Sequence, residues 1–294
     1  MKRTAASIQV DIAKGNFRPH TALTNMALAY YQDDSKYFAR TIFPICPVTL
    51  SSDNYYIFDK EDLLRDSWQR KPAYGKVDPA VLSEHTDTYT CLVDQMIMGI
   101  DQIRQTDLTR RMGATVRDPR QQRMKAIAGQ ANIHQDRIFA ERFFKSGVWG
   151  NEFAGVDSTN PVSGQFIKFS NGNSDPVSFM DQRKTEIEQS TGRTPNRIAL
   201  GVNVFNALKN HPAVLERVKY GGTSANPAKV TENVLAQLFD VERVSVQRSI
   251  MNKAKPGEAP KMEYIGDPDA FLLAYATDAP SVEGPSAGDI FTWD

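Results

Sequence analysis

The longest regular pattern of apolar positions in this chain lies between residues 118 and 145. Four apolar residues recur there at steps of three, four and seven positions, which is the spacing of one helix face. They are Met124, Ile127, Ala131 and Ile138. Asp118 suits the N-cap, Pro119 the first helical position, and Gly147 a left-handed stop. We therefore predict a long helix over 118–145 whose core face is formed by these four residues and extended by Phe139 and Phe143.

A long charged stretch separates two segments that have the pattern of strands. Strands are predicted over 54–58 and 86–98, and the residues between them show no convincing core pattern. A structureless segment of that length is unusual inside a compact domain. We therefore predict that 49–98 is a projecting β-hairpin whose large apolar residues contact another subunit. The predicted subunit contacts are Leu63, Leu64, Arg65, Asp66 and Trp68.

The chain from 175 to 280 alternates between helical and strand patterns. Helices are predicted over 175–191, 202–209, 211–218 and 230–239, and strands over 197–200, 243–247 and 270–276. This alternation indicates a second, compact module. Together with the hairpin and the long helix it predicts an α+β fold.

Composition adds little, but the distribution of charge does. The 294 residues are enough for about two domains, and the formal net charge is zero. Residues 1–24 are predicted to form an arm, because Pro19 prevents a continuous helix and apolar residues are scattered. The arm's basic residues are Lys2, Arg3, Lys14 and Arg18. The segment 104–125 is also basic, whereas 263–289 is acidic, so a neutral total hides a dipolar subunit.

A search for catalytic, nucleotide-binding and metal-binding motifs finds none. Cys46 and Cys91 lack metal-type spacing and are expected to be free thiols. The apolar run 270–276 is too short to cross a bilayer, and polar residues interrupt any signal-peptide core at the N-terminus. We expect a soluble intracellular protein that is not an enzyme and has no catalytic residue, metal or cofactor.

Several short segments, in their order along the chain, resemble the major capsid proteins of tailed double-stranded DNA bacteriophages, which have the Hong Kong-97-type fold. These segments are Tyr30-Tyr31-Gln32-Asp33-Asp34 leading into Phe43-Pro44, Tyr56-Ile57-Phe58-Asp59-Lys60 with Leu64-Arg65-Asp66, Phe143-Phe144-Lys145-Ser146-Gly147-Val148-Trp149-Gly150, Ser174-Asp175-Pro176, Thr191-Gly192-Arg193-Thr194-Pro195-Asn196 and Asn210-His211-Pro212. None is a catalytic fingerprint. Their shared order over more than two hundred residues carries the resemblance.

The resemblance implies a division of the chain into the parts of such a shell subunit. They are an N-terminal arm and lead-in (1–48), an extended loop (49–98), a peripheral domain with the spine helix 118–145 (99–159), an axial domain (160–280) and a return toward the peripheral domain (281–294). The family pattern usually continues into further returning strands, so this C-terminus is either clipped or lacks them.

The resemblance also implies a function and partners. The chain would self-assemble as hexamers and pentamers into the icosahedral shell that encloses phage DNA, in the virion, after assembly in the bacterial host cytoplasm. A separate scaffolding protein and a portal are the expected partners, a decoration protein is a candidate one, and no membrane is involved. Packaged DNA is a polyanion, so the four basic arm residues are candidates for non-specific contact with it on the luminal face.

Three alternatives remain open from the sequence. A cellular nanocompartment shell of the encapsulin type uses the same fold and encloses protein cargo. An α/β enzyme built on 175–280 is a remote possibility. The arginines of 110–123 could also pair with acidic loops of neighbouring subunits instead of facing DNA.

Overall fold

The computed structural model describes residues 32–71, 73–99, 102–103, 106, 119–219, 229–278, 284 and 286–293. Lys2, Arg3, Lys14 and Arg18 therefore lie outside the described residues, as does Asp118, the predicted cap of the long helix. Contacts divide the chain into two units, one of 1–34 with 100–130 and one of 35–99 with 131–294. Of the first unit the structure describes little besides the first half of the long helix.

A three-stranded sheet forms the centre of the second unit. Its order is β10 (Phe271–Ala274), β6 (Arg197–Gly201) and β7 (Arg243–Gln247), with β6 parallel to β7 and antiparallel to β10. Strand β6 is central and all five of its residues are buried. Four helices accompany the sheet, namely α4 (Pro176–Thr191), α5 (Val202–Asn210), α6 (Pro212–Lys219) and α7 (Glu232–Leu238). The strands and helices predicted over 175–280 are thus observed, with ends shifted by a few residues.

Successive residues of β6 contribute to two different cores, because side chains alternate across a strand. Ile198 and Leu200 belong to the larger apolar cluster, which is formed with the four helices. Ala199 belongs to a second cluster on the other side, with Phe43 and Phe139 among its members. The sheet therefore ties the helical layer to the part of the unit that contains the end of the long helix.

Helix α4 begins one residue after the predicted start and ends at the predicted residue 191. The Asp175 carboxylate accepts hydrogen bonds from the backbone N–H groups of Val177 and Ser178, at 3.1 and 3.2 Å. Gly192 adopts a φ of 68° after the last turn, and its N–H donates to the carbonyl of Glu188. Glycine reaches this left-handed conformation without a steric penalty, which explains why the helix stops there.

A lysine of α4 closes the end of another helix. The buried Lys184 donates from Nζ to the carbonyls of Phe239 and Asp240, at 2.9 and 2.7 Å, just after the end of α7. It also pairs with the Asp240 carboxylate at 3.1 Å. A cation at a helix C-terminus satisfies carbonyls that have no partner within the helix.

Lys184→Met should therefore lower the free energy of unfolding by about 2 kcal/mol, because the carbonyls lose a charged donor while the apolar stem is kept. Urea unfolding followed by circular dichroism measures this. Lys209→Met, at an exposed lysine in the last turn of α5, is the matched control and should change stability by less than about 0.5 kcal/mol. Equal losses in the two variants would contradict the capping role.

The long helix α3 spans Pro119–Arg142, within the predicted 118–145. Its predicted core face is wrong in part. Met124 is 69% exposed and Ala131 is exposed, while Ile127 and Ile138 are only half-buried. The buried side chains described on this helix are those of Asp136, Phe139 and Ala140.

Two features explain the difference between the predicted and the observed face: the angular position of each residue around the helix, and a buried carboxylate. Each residue turns the helix by about 100°, so Phe139 points well away from the line through Ala131 and Ile138. Asp136 lies on the buried side because its carboxylate has partners there. It accepts hydrogen bonds from the backbone N–H groups of Phe38 and Ala39, at 3.2 and 3.0 Å. An aspartate at the centre of a buried face hides that face from an apolar-pattern search.

The N-terminal side of the second unit is built on a short helix and a returning strand. Helix α1 (Ala39–Ile42) leads into β1 (Ile45–Val48), which pairs in parallel with β11 (Ile290–Trp293). The C-terminal strand thus pairs with the strand of the lead-in. Two small strand pairs lie elsewhere in the second unit, β4 (Ala154–Val156) with β5 (Gln165–Ile167) and β8 (Ile250–Asn252) with β9 (Met262–Tyr264).

Among the helices of the described residues, none combines the length and the apolar character that crossing a membrane requires.

Candidate subunit-contact surface

The predicted hairpin is present and has a helical turn at its far end. Strand β2 (Ser52–Phe58) pairs with β3 (Glu84–Thr90) in antiparallel register, with Ser52 opposite Thr90 and Phe58 opposite Glu84. The short helix α2 (Lys60–Leu63) follows β2 directly. The second strand is shorter than predicted, since 91–98 forms no regular secondary structure.

Hydrogen bonds attach α2 to the start of β3. The Asp62 carboxylate accepts from the backbone N–H of Ser83 at 3.0 Å, and the N–H of Asp59 donates to the carbonyl of Ser83 at 3.0 Å. Hydrogen bonding to Ser83 also lowers the pKa of the Asp62 carboxyl below its ordinary value. These bonds give the hairpin tip a defined shape although it has no apolar core of its own.

The five predicted contact residues all lie exposed at or beyond this tip. Leu63 is 57% exposed, Leu64 67% and Trp68 95%, and both Arg65 and Asp66 are exposed. The Asp66 carboxylate accepts from the backbone N–H of Trp68 at 3.1 Å and so fixes the turn between them. Large apolar side chains in contact with water are costly unless another surface covers them.

The exposed apolar surface is wider than the sequence predicted. Aromatic and aliphatic side chains elsewhere on the loop are also exposed. They are Tyr56, Phe58, Tyr74, Val81, Leu82, Leu92, Val93 and Ile97. The alternation of Tyr56 and Phe58 with the half-buried Tyr55 and Ile57 could have revealed an aromatic outer face on β2. The remaining residues lie in irregular segments that give no periodic pattern.

The base of the hairpin is held more firmly than its tip. The rings of Tyr89 and Phe291 stack with centroids 5.0 Å apart, beside the buried Cys46, whose pKa is raised by burial and then by the charge of Asp289. Cys46 and Cys91 are both free thiols, as expected. The hairpin is therefore anchored at one end and exposed at the other.

The long helix contributes a second attachment near the base. His134 Nε2 lies 3.1 Å from a carboxylate oxygen of Asp94, in the irregular segment that follows β3. His134 thus makes a surface contact to a carboxylate.

One groove of the second unit is lined by aromatic residues of several elements. Phe153, Phe166, Phe179 and Phe271 line it, and the Arg183 guanidinium lies 4.3 Å from the centroid of the Phe153 ring. Its aromatic side chains pack against one another, Phe166 and Phe179 being stacked with centroids 4.7 Å apart.

One carboxylate that lines the groove has a shifted pKa, and it already accepts hydrogen bonds from the backbone. Glu152 accepts hydrogen bonds from the backbone N–H groups of Gly147, Val148 and Trp149 at 2.8–2.9 Å. The hydrogen bonds from these amides lower the pKa of the Glu152 carboxyl, and the one from Gly147 has the largest effect. A low pKa and three amide partners suit a structural acceptor that shapes the turn after α3, and they do not suit a general base.

The described residues contain no group of three or more His, Cys, Asp or Glu side chains placed to bind a metal ion. The buried His211 bonds through Nε2 to Ser174 and to the carbonyl of Asn171, and its Nδ1 accepts from the N–H of Ala213. It therefore closes the start of α6.

Comparison with known proteins identifies a capsid relative. A stretch of 83 residues is 34% identical to the major capsid protein of Burkholderia phage BcepMu, over 28% of this chain and 26% of that protein. The match thus spans only about a quarter of the curated relative. It confirms the predicted resemblance to phage major capsid proteins. No protein-family model matches the chain.

A solved phage-related protein has a similar fold. The crystal structure of a phage-related protein from Bordetella bronchiseptica aligns with a TM-score of 0.62 and 21% identity, over 92% of this chain and 82% of that one. A structure from Microbacterium phage Oxtober96 aligns with a TM-score of 0.48 and 10% identity, over 98% of this chain and 99% of that one.

Proposed function

We propose that this chain is the major subunit of a phage capsid and that it self-assembles into an icosahedral shell enclosing double-stranded DNA. The observation that carries the proposal is the 34% identity to a phage major capsid protein. The chain's role is then structural and not catalytic. Its place is the virion capsid, after assembly in the host cytoplasm.

The exposed hairpin supplies the physical means of assembly in this proposal. A second copy covers Leu63, Leu64 and Trp68 and removes their apolar surface from water, while Arg65 and Asp66 form polar contacts at the rim of the interface. The anchored base lets the loop project, and the irregular segments let it adapt to the small differences between hexamers and pentamers.

The finer subdivision of the subunit is also part of the proposal. It has the Hong Kong-97-type arrangement, with the arm and lead-in at 1–48, the extended loop at 49–98, the peripheral domain at 99–159, the axial domain at 160–280 and the return segment at 281–294. The sheet and four helices of the second unit support a compact axial domain. The pairing of β11 with β1 supports the return segment.

Partners follow from the chemistry of such a shell. A scaffolding protein and a portal assist assembly, and a decoration protein is a candidate for the outer surface. The basic residues Lys2, Arg3, Lys14 and Arg18 contact packaged DNA through its phosphates, without reading sequence.

The direct test is to purify the expressed chain and image it by negative-stain electron microscopy. Closed icosahedral particles are expected, and with the other packaging components present they should protect DNA from nuclease. Particles that enclose protein cargo in place of DNA would favour a nanocompartment. A chain that stays monomeric over a wide range of concentration, salt and crowding agents would contradict the proposal.

Trp68→Ala tests the loop contact within this proposal. The change should raise the subunit concentration needed for shell formation by about tenfold or more, because a buried interface tryptophan contributes about 2 kcal/mol. Unfolding of the free subunit should not change, since Trp68 is 95% exposed there. Light scattering and circular dichroism give the two measurements.

Gln69→Ala, at the neighbouring exposed residue, is the control and should assemble like the parent. Normal assembly of Trp68→Ala would remove this residue from the interface. A lower unfolding midpoint for Trp68→Ala would place it in an intramolecular core instead.

A further inference from the structure

The hairpin tip touches its own subunit at a point far away in the sequence. Lys60 Nζ donates a hydrogen bond to the backbone carbonyl of Ser190 at 3.0 Å, across 130 positions of the chain. Next to it, both terminal methyl groups of Leu64 lie 3.9 Å from the position that a Cβ on Gly192 would take. The tip therefore contacts the C-terminal end of α4 through one cation and one leucine.

The end of α4 is a suitable receptor for this cation. The last four carbonyls of a helix have no partner within it, and the partial negative charge there favours a lysine. The Ser190 and Thr191 hydroxyls both donate to the carbonyl of Ile187, and the N–H of Gly192 donates to that of Glu188. Lys60 donates to a further carbonyl of this end, that of Ser190.

This contact holds the tip without burying it. Leu64 remains 67% exposed although it lies against Gly192, and Leu63 and Trp68 are also exposed. A single hydrogen bond in contact with water contributes little free energy. The contact is therefore weak enough to open and close in the folded subunit.

Leu64 belongs to two surfaces that compete for part of it. It packs against Gly192 of its own chain, and it is one of the apolar residues that a second copy covers in the proposed shell. The part of Leu64 that faces Gly192 is not available to a second copy while the contact holds. The bond of Lys60 to Ser190 also favours one direction of the hairpin.

We propose that Lys60 and Leu64, docked on Ser190 and Gly192, form a latch that holds the hairpin against its own subunit and must open before a second copy can bind it. The inference rests on the proposed function, because assembly is the process that the latch delays. The latch makes association of free subunits less favourable and so raises the concentration at which shells form.

The first experiment weakens the latch. Lys60→Met keeps the apolar stem and removes the charged donor, whereas Lys76→Met removes an exposed charge elsewhere on the same loop. In the free subunit, the amides of Leu63 and Leu64 should exchange hydrogen about two- to fivefold faster in Lys60→Met than in Lys76→Met. The concentration at which shells appear should fall by a similar factor in Lys60→Met.

The second experiment locks the latch. In a Cys46→Ala and Cys91→Ser background, Lys60→Cys and Ser190→Cys are joined within one subunit by a short cleavable bis-maleimide. Locked subunits should stay monomeric, and cleavage of the linker should restore assembly. Subunits carrying Lys60→Cys alone, treated with the same reagent, control for modification of the loop.

The outcomes separate the latch from the proposed function. Unchanged amide exchange in Lys60→Met, or assembly of locked subunits at the parent's threshold, overturns the latch. A higher assembly threshold for Lys60→Met also overturns it, since Lys60 would then serve the contact between subunits. A parent chain that forms no shells overturns the proposed function, and the amide exchange would still decide whether the tip is docked on α4.

Discussion

Phe139→Ala is expected to lower the free energy of unfolding by about 3–5 kcal/mol, the range for a buried phenylalanine. Its ring is 4% exposed and lies at the centre of an aromatic cluster. The centroids of the Phe38, Phe43 and Phe143 rings lie 5.1, 5.3 and 5.9 Å from its own. Truncation would leave a cavity among the rings of Phe38 and Phe43, which flank α1, and of Phe143, which follows α3, so these parts of the chain would lose their common contact. Denaturant unfolding measures the loss.

Met124→Ala, on the same helix, is the control and should cost less than about 1 kcal/mol, since Met124 is 69% exposed. The pair thus tests which face of α3 is buried. A large loss for Met124→Ala would return Met124 to the buried face that the sequence predicted, and a small loss for Phe139→Ala would remove Phe139 from that face.

Local features of the fold were predictable because each depends on neighbours in the sequence. The cap at Asp175 and the stop at Gly192 delimit α4, and both belong to the helix they delimit. The buried strand predicted over 197–200 is observed as Arg197–Gly201. The spacing of apolar residues and the residues that cap a helix are local properties, so they can be read from a single sequence.

Features that depend on distant residues were not predictable. The phase of α3 is set by Asp136, whose partners Phe38 and Ala39 are nearly a hundred positions away. The pairing of β11 with β1 joins segments near the two ends of the described chain, and the sequence of neither strand indicates which strand it pairs with. In both cases the stabilising contacts join residues that are distant in the sequence, and these contacts exist only after folding.

The candidate site divides in the same way. Leu63, Leu64 and Trp68 were identifiable because large apolar residues stand in a charged stretch that has no local core. The docking of Lys60 on Ser190 was not, since a lysine in such a stretch looks like any solvated charge. Whether a second copy covers the tip is a property of the assembly and stays a prediction.

Asp136→Ala is expected to cost about 3 kcal/mol at neutral pH. The carboxylate is 1% exposed and serves the first turn of α1 from another helix, by accepting from the N–H groups of Phe38 and Ala39. Alanine leaves both donors buried without an acceptor, and each such group costs about 1–3 kcal/mol. Asp136→Asn keeps an acceptor oxygen at the same place and should cost about 1 kcal/mol or less. Similar losses for the two variants would mean that the hydrogen bonds contribute little.

The pH dependence of this pair follows from the burial of Asp136. Burial raises the pKa of the Asp136 carboxyl above its ordinary value, although the amide of Ala39 acts in the opposite direction. A pKa that is higher in the folded chain favours folding below the unfolded value of about 3.9, and this contribution is lost as the pH rises through the folded pKa. Asparagine does not titrate, so the stability of the parent relative to Asp136→Asn should fall between about pH 4 and neutral pH. Other carboxyls, such as Glu152, are common to both chains and cancel in the difference. A stability difference that is constant with pH, or that grows in the parent's favour, would contradict this expectation. It would show that the hydrogen bonds from the amides lower the pKa of Asp136 at least as much as burial raises it.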